Sequence, residues 1–482
     1  MSIKQYELYI NGEFTPGEGT GYTDVTNPAT EEVLGQVKRG TKADVARAID
    51  AAEAAQGAWE DTPAVVRGEW LHKIAAGIRK RAAEIAKIIV QEGGKTQGLA
   101  NVEVNFTADY LDYMAEWARR YEGEIIQSDR PTENIFLFKK AIGVTTGILP
   151  WNFPFFLIAR KMAPALVTGN TIVVKPSKET PLNCLAFTEI VHEIGLPKGV
   201  FNMVTGPGAE LGAELSGNPK VGLVSLTGSL SAGQAVMQAA SENITKVSLE
   251  LGGKAPAIVM NDADLELAAT SIVASRVINA GQVCNNAERV YVQKEVYEEF
   301  LPILVEKMKA VKYGDPSKEA DLDMGPLISK HEQATVAAKV EKAIEQGAKL
   351  ILGGKPVSID GKGAFFEPTI LVETAQHMNI MRDETFGPVL PVTTFDTFEE
   401  VIELANDCEY GLTSSIYTSS LNTAMRAMKR LKFGETYINR ENFEAMQGFH
   451  AGWRKSGVGG ADGKHGLEEY LQTHVCYLEY KE

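Results

Sequence analysis

Residues 221–234 read VGLVSLTGSLSAGQ: a run of β-formers, a Thr-Gly-Ser turn, then the opening of a helical pattern. Val221 to Leu226 predicts a strand, Thr227-Gly228-Ser229 a turn, and the residues after it a helix. The same grammar occurs upstream, where Thr171-Ile172-Val173-Val174 predicts a strand followed by Lys175-Pro176-Ser177. Strand, turn and helix in alternation imply a parallel sheet with crossover helices, the doubly wound α/β arrangement. After Glu250 the alternation begins again. Ala257 to Met260 predicts a strand, and Asn261-Asp262-Ala263-Asp264 a helix cap. Two α/β units are therefore expected, with their boundary near Gly252-Gly253.

Outward from this core, the N-terminal quarter reads as helices. Thr41 ahead of Lys42-Ala43-Asp44 is a capping signature, with Val45, Ile49 and Ala52 at helical spacing behind it. Leu71, Ile74, Ile78, Ile85 and Ile89 predict one further amphipathic helix, ended by Gly93-Gly94. At the other end, Thr473 to Tyr480 is rich in β-formers (Val475, Tyr477, Tyr480) and predicts a terminal strand that pairs outside its own domain.

Composition narrows the function classes. The chain has 482 residues, enough for two or three domains with large cores, and a hydrophobic share of 44%. Against 48 Lys and Arg stand 63 Asp and Glu, a net charge of −15, which argues against nucleic acid as a partner. Four cysteines in so long a chain make no disulfide framework, so a reducing, cytoplasmic setting is expected. There is no HExxH and no Cys/His cluster, and no metal site is expected. The segment MSIKQYELYINGEF lacks the apolar stretch of a signal peptide. The longest uncharged run, Ala141 to Ala159, contains Gly143, Gly147, Pro150, Asn152 and Pro154. A membrane helix tolerates those residues poorly, so this run predicts buried core or a site loop, and no membrane partner.

Four places could carry chemistry. Cys284 sits in GQVCNNAER (281–289), among polar neighbours that make a poor core and a good site loop. The bland reading is a buried small hydrophobe; a nucleophilic thiolate needs nearby cations or donors. Glu250 ends an apolar strand and meets Gly252-Gly253, which permit close approach of a backbone or ligand; the bland reading is a solvated glutamate. Asn152 lies in PWNFP (150–154), either satisfying its own turn or serving as a fixed donor to an oxyanion. Thr227 to Gly233 places a helix N-terminus where a phosphate can sit, although it is neither GxGxxG nor a P-loop.

Together, PWNFP (150–154), LELGGK (249–254), GQVC (281–284) and ETFGPV (384–389) resemble the aldehyde dehydrogenase superfamily from end to end. Within it, NRENFEAMQGFHAGWRKSGVGG (439–460) and AEWARRYEGEIIQSDRP (115–131) are similar to the bacterial branch acting on lactaldehyde and glycolaldehyde. The resemblance implies two doubly wound domains, a Rossmann-like cofactor domain (1–119 and 142–252) and a catalytic domain (253–455). It adds a β-arm for oligomerisation (120–141) that pairs with the C-terminal tail (456–482), in a dimer or a tetramer. It implies Cys284 as nucleophile, Asn152 as oxyanion donor and Glu250 as the base that activates water. For the cofactor it implies Lys175 and Lys178 toward the adenosine ribose, Gly228 and Ser229 at the pyrophosphate, and Glu384, Phe386 and Trp151 at the nicotinamide end. NAD is expected. NADP is possible, because Lys178 stands where NAD-preferring relatives usually carry a glutamate, although Glu179 follows at once.

The aldehyde is expected to be short and hydroxylated. His450 falls where many relatives place an aromatic, and Arg160 and Glu444 are candidates to join it in a polar pocket; the bland reading of those two is a structural ion pair. Other short-chain aldehydes or semialdehydes are the competing substrates. A relative transferring to coenzyme A should lack Glu250, and a non-catalytic homologue should have lost Cys284, Glu250 or Asn152.

Overall fold

The computed structural model describes residues 3–481. Met1, Ser2 and Glu482 lie outside the described residues, and with them the first two positions of the N-terminal segment read above. The doubly wound α/β reading holds. One sheet runs in the order Lys246–Glu250, Val221–Thr227, Val144–Ile148, Thr171–Lys175, Phe201–Met203, all parallel. Leu8–Ile10 and Glu13–Thr15 extend one edge antiparallel, and Gly457–Val458 closes the other edge against Lys246–Glu250. The central strands are buried on both faces, which is why neither VTTGI nor TIVVK alternates between apolar and exposed polar residues.

The second sheet begins just after Gly252-Gly253. Its strands lie in the order Lys349–Leu352, Thr369–Val372, Val389–Phe395, Ala287–Gln293, Ala255–Val259, Thr413–Tyr417, Glu435–Ile438. Only the Lys349–Leu352 edge is antiparallel. The C-terminal strand, Leu471–Glu479, pairs antiparallel with Glu133–Ala141, and Glu124–Gln127 completes a separate three-stranded sheet. That sheet leaves Ile125, Phe138, Tyr477 and Leu478 exposed.

Thr41 and Asp44 form a reciprocal capping box on the helix Lys42–Asp61. The single helix expected over Leu71 to Ile89 is instead two, Ala64–Lys80 and Ala82–Gly93, broken at Arg81 (φ −106°, ψ 14°). Ile78 and Ile85 both face the same core, so the apolar pattern runs straight across the break. What holds the corner is polar: the Arg81 guanidinium bonds Glu84 and Glu189, both at 2.8 Å. Gly94, at φ 67°, ends the second helix in the left-handed region that glycine adopts freely.

Two buried glutamates from this helical layer cap helices of the sheet layer. Glu103, on the helix Gln97–Ala115, accepts from the backbone N–H of Phe155 (3.0 Å) and Phe156 (3.2 Å) at the start of Pro154–Val167. Glu92 accepts from Leu182 (2.8 Å) and Asn183 (2.6 Å) at the start of Pro181–Glu193. Both receiving helices open on proline and have no side-chain cap of their own, so their free N–H groups need an outside acceptor. Glu103 also pairs with buried Lys95, whose ammonium lies 3.5 Å from the centre of the Phe153 ring. The 150–154 turn is thereby fastened to the helical layer.

Candidate active site

The first sheet presents the C-terminal ends of its strands, where ligands collect in open α/β sheets. Val144–Ile148 leads into the 150–154 turn, Val221–Thr227 into Gly228-Ser229, and Lys246–Glu250 ends on its glutamate. The second sheet contributes the segments that precede its strands: Gly253 before Ala255–Val259, Cys284 before Ala287–Gln293, and Glu384 and Phe386 before Val389–Phe395.

Cys284 stands on a wound loop. Asn279, Ala280 and Gly281 have φ of 49°, 56° and 78°, three left-handed residues in succession. Glycine is required at 281, because a Cβ there would lie 2.3 Å from the Gly387 carbonyl. The two others store strain of roughly 1–2 kcal/mol each. Buried Arg276 holds the loop, donating to Gly387 O (2.7 Å), Asn286 Oδ1 (3.0 Å) and Glu288 Oε1 (2.7 Å). Glu288 in turn bonds Lys254 Nζ (2.6 Å) and accepts from the N–H groups of Thr385 (3.0 Å) and Phe386 (3.1 Å). Burial opposes its charge, but Arg276 and Lys254 pull the Glu288 carboxyl down to about 2. This cluster ties the cysteine loop to the 384–387 turn. Sequence reasoning missed it, although two charges opening the wholly buried strand AERVYVQ were a usable signal.

Asn152 donates from Nδ2 to Gln282 O (3.0 Å) and accepts at Oδ1 from Phe153 N (3.1 Å). Gln282 is itself anchored to Asn279 O (2.8 Å) and Ile328 N (2.8 Å). The amide is fixed in direction, and among the described residues its second N–H meets no acceptor. Glu250 is buried and accepts from the Thr227 hydroxyl (3.1 Å), which accepts in turn from Lys161 Nζ (3.0 Å). Burial alone raises this carboxyl, yet Lys161, Arg160 and His450 together bring it below its ordinary value, so Glu250 is an anion at neutral pH.

Asn152, Thr227, Glu250 and Cys284 form the seam between two cavities. On one side is a cleft of about 240 Å³ lined by Trp151, Gly228, Ser229, Gly252, Glu384 and Phe386. Trp151 and Phe386 meet edge to face, 5.5 Å between centroids. Ser229 caps the helix Leu230–Ala240 through Ala232 N (3.3 Å). Glu384 accepts from Gly253 N (2.9 Å), and burial beside Glu288 raises it to about 7. A Cβ on Gly252 would lie 2.3 Å from that carboxylate, so any larger residue there would push Glu384 from its place. The donor set fits a dinucleotide: a helix N-terminus for phosphate, a carboxylate for ribose hydroxyls and an aromatic wall for a planar ring. Two expected cofactor residues do not line this cleft. Lys175 is buried, donates to Pro176 O (3.0 Å), and is lowered to about 8 by burial. Lys178 is exposed and paired with Glu179 at 3.4 Å.

On the other side of the seam is a cavity of about 300 Å³. Phe106, Phe156 and Phe443 give it an apolar wall, and Arg160, Asn285 and Glu444 a polar end. Arg160 faces three carboxylates: Asp462 (Nε to Oδ1 2.9 Å), Glu444 (3.1 Å) and Glu250 (3.5 Å). Arg160 and Glu444 are thus brought together at the cavity, while His450 is buried and is not among the lining residues. Asn285, which donates to Glu444, and Asp462 were missed from sequence.

This chain belongs to the aldehyde dehydrogenase family, matching it over residues 14–476, and is an aldehyde dehydrogenase. Nicotinamide dinucleotides are the cofactors of that family. More narrowly, the chain is 65% identical over 480 residues to lactaldehyde dehydrogenase of Escherichia coli, covering 99% of this chain and 100% of that one. The solved structure of that enzyme matches with a TM-score of 0.98. It is 45% identical to a 3,6-anhydro-alpha-L-galactose dehydrogenase of Vibrio sp., over 99% of this chain and 100% of the relative. Betaine aldehyde dehydrogenase of Staphylococcus aureus, solved in complex with NAD+, matches at 36% identity and TM-score 0.96, covering 98% and 95% of the two chains. No helix among the described residues is long and apolar enough to cross a membrane.

Proposed function

We propose that the protein oxidises a short hydroxyaldehyde, lactaldehyde or glycolaldehyde, to its carboxylic acid with NAD, and accepts NADP as well. The observation that carries this is the polar end of the aldehyde cavity. Arg160, Asn285 and Glu444 lie beside Cys284, where a hydroxyl next to the reacting carbon finds both donors and an acceptor. An apolar chain would leave those groups unmatched. The similarity to the Escherichia coli lactaldehyde dehydrogenase supports the same substrate class.

In this reading the Cys284 sulfur adds to the aldehyde carbon, and the free N–H of Asn152 with the Cys284 backbone N–H receives the oxyanion. The nicotinamide cofactor, when bound, supplies the hydride acceptor. Gly228 and Ser229 would hold its pyrophosphate, Glu384 a ribose, and Trp151 and Phe386 the nicotinamide end, with Lys175 and Lys178 toward the adenosine ribose. Glu250, anionic and aimed at the seam by Thr227, takes the proton of the water that hydrolyses the thioester. The enzyme is a homo-oligomer built through the exposed three-stranded arm, and it works in the cytoplasm, where its four free cysteines stay reduced.

The test is kcat/KM for lactaldehyde, glycolaldehyde, propanal, hexanal and benzaldehyde. The hydroxyaldehydes are expected to exceed propanal by about tenfold or more, the size of one or two buried polar contacts. Hexanal or benzaldehyde in first place would refute the polar-pocket assignment.

A further inference from the structure

The turn from Glu384 to Gly387 carries two side chains of the cofactor cleft, the Glu384 carboxyl and the Phe386 ring. It is strained. Phe386 has φ 54°, a left-handed conformation that a bulky residue adopts at a cost, so the turn keeps its shape only where its surroundings hold it. Charged side chains take up its backbone group by group. Glu288 accepts from the N–H groups of Thr385 and Phe386, and Arg276 donates to the Gly387 carbonyl; both are buried. The Glu384 and Thr385 carbonyls go to Lys339, whose Nζ lies 2.6 Å from the first and 3.4 Å from the second. Lys339 belongs to another element, the helix Lys330–Glu345, which presses on the turn from outside. A Cβ on Gly387 would lie 2.7 Å from Cγ2 of Val336 on that helix. Unlike Glu288 and Arg276, Lys339 is only partly buried, and it lines the cleft. Water at the cleft wall could satisfy the two carbonyls. What a lysine adds is a fixed link to the helix and a positive charge beside the carboxyl.

We propose that Lys339 is a positioning residue for the cofactor. By gripping the Glu384 and Thr385 carbonyls it holds the strained turn so that the Glu384 carboxylate and the Phe386 ring face the cleft, and it sets a cation beside that carboxylate. The proposal rests on the reading of Glu384 as the residue that takes ribose hydroxyls. As an anion the carboxylate accepts from those hydroxyls with both oxygens; when protonated it gives up part of that capacity. Burial and the neighbouring Glu288 raise it to about 7, and the Gly253 N–H, Lys339 and Lys254 work against that rise. Tyr410 and the Cys284 thiol feel its charge from other sides. Glu332, on the Lys339 face of the helix roughly two turns earlier, adds a second carboxyl to the cleft. Cofactor affinity should therefore increase as pH passes upward through about 7, and Lys339 keeps that increase from moving to higher pH.

NAD is titrated into the full-length enzyme without aldehyde, by quenching of protein fluorescence, between about pH 6 and about pH 9. Wild type is compared with Lys339→Met, Lys339→Arg and Glu384→Gln. Lys339→Met is expected to bind NAD about three- to tenfold more weakly at neutral pH, with the increase displaced upward by about half a unit. Lys339→Arg, which keeps charge and donors, is expected to restore both. Wild-type affinity in Lys339→Met overturns the proposal. So does affinity lost equally at every pH, or a loss that arginine does not restore, since a merely structural lysine gives those results. If Lys339→Met fails to fold, Lys339→Gln, which keeps a donor without the charge, takes its place and the same results decide. Glu384→Gln separates the two readings. If it weakens NAD and flattens the pH dependence while Lys339→Met does neither, the role of Glu384 stands and that of Lys339 falls. If Glu384→Gln binds NAD as wild type does, both fall.

Discussion

The two cavities that meet at Cys284 are made of different material. The cofactor cleft is walled by short contiguous stretches around 150–152, 227–229, 250–252 and 384–386, and offers backbone N–H groups, glycines and two rings. The aldehyde cavity draws its polar end from separate helices and turns, and holds it by charge: one guanidinium facing Glu250, Glu444 and Asp462. A site built of backbone and glycine is set by a few adjacent residues. A site built of buried charge is set by pairs such as Arg160 and Asp462, 302 positions apart.

Substitutions at the seam should have the largest effects, because both cavities need it. Cys284→Ser should abolish aldehyde oxidation while leaving cofactor affinity, measured by fluorescence titration, near wild type; retained turnover would displace Cys284 from its role. Glu250→Gln should lower steady-state turnover about 10²–10⁴-fold and leave a burst of reduced cofactor in stopped flow. The lowered Glu250 carboxyl also fixes the sign of the acid limb: the base is ionised at neutral pH and is lost only as pH falls through its depressed value. A steady state unchanged by the substitution would remove Glu250 from deacylation.

On the aldehyde side alone, Asp462→Asn leaves Arg160 with two carboxylates in place of three. Breaking a buried ion pair costs about 3–5 kcal/mol, so the melting temperature should fall by several degrees, and the preference for hydroxyaldehydes over propanal should narrow. A variant as stable and as selective as wild type would mean that charge does not hold this cavity. The smallest effect is expected at the outer end of the cleft. Lys178→Glu should reduce kcat/KM for NADP by less than about tenfold and leave NAD nearly untouched, since Lys178 is exposed and already paired with Glu179. Complete absence of NADP activity in the wild type would end the dual-cofactor proposal.

The same division explains what the sequence disclosed. The strand–turn–helix stretches at 171–177 and 221–234 were legible because each is carried by local residue types, whereas residues 152, 250 and 284 were brought together only by the family resemblance of the motifs around them. Glu435 and Asp462 were not legible, because only the fold brings them to His450 and Arg160. The break at Arg81 was hidden for a related reason: hydrophobic spacing reports which face is buried, and Ile78 and Ile85 share a face on either side of the corner. Lys175 and Lys178 were given a cofactor role only by the family resemblance; here one bonds Pro176 and the other pairs with Glu179, contacts that no local pattern in the sequence announces.

The long-range caps on Pro154–Val167 and Pro181–Glu193 have a consequence for how the chain is made. Synthesis runs from the N-terminus, so Glu92 and Glu103 leave the ribosome before the proline-led helices whose first turns they satisfy. The acceptor waits for the donor. By the time the PWNFP turn emerges, Lys95 and Glu103, which will fasten it to the helical layer, have already been translated, and a nascent chain halted just past residue 156 already holds both halves of that contact.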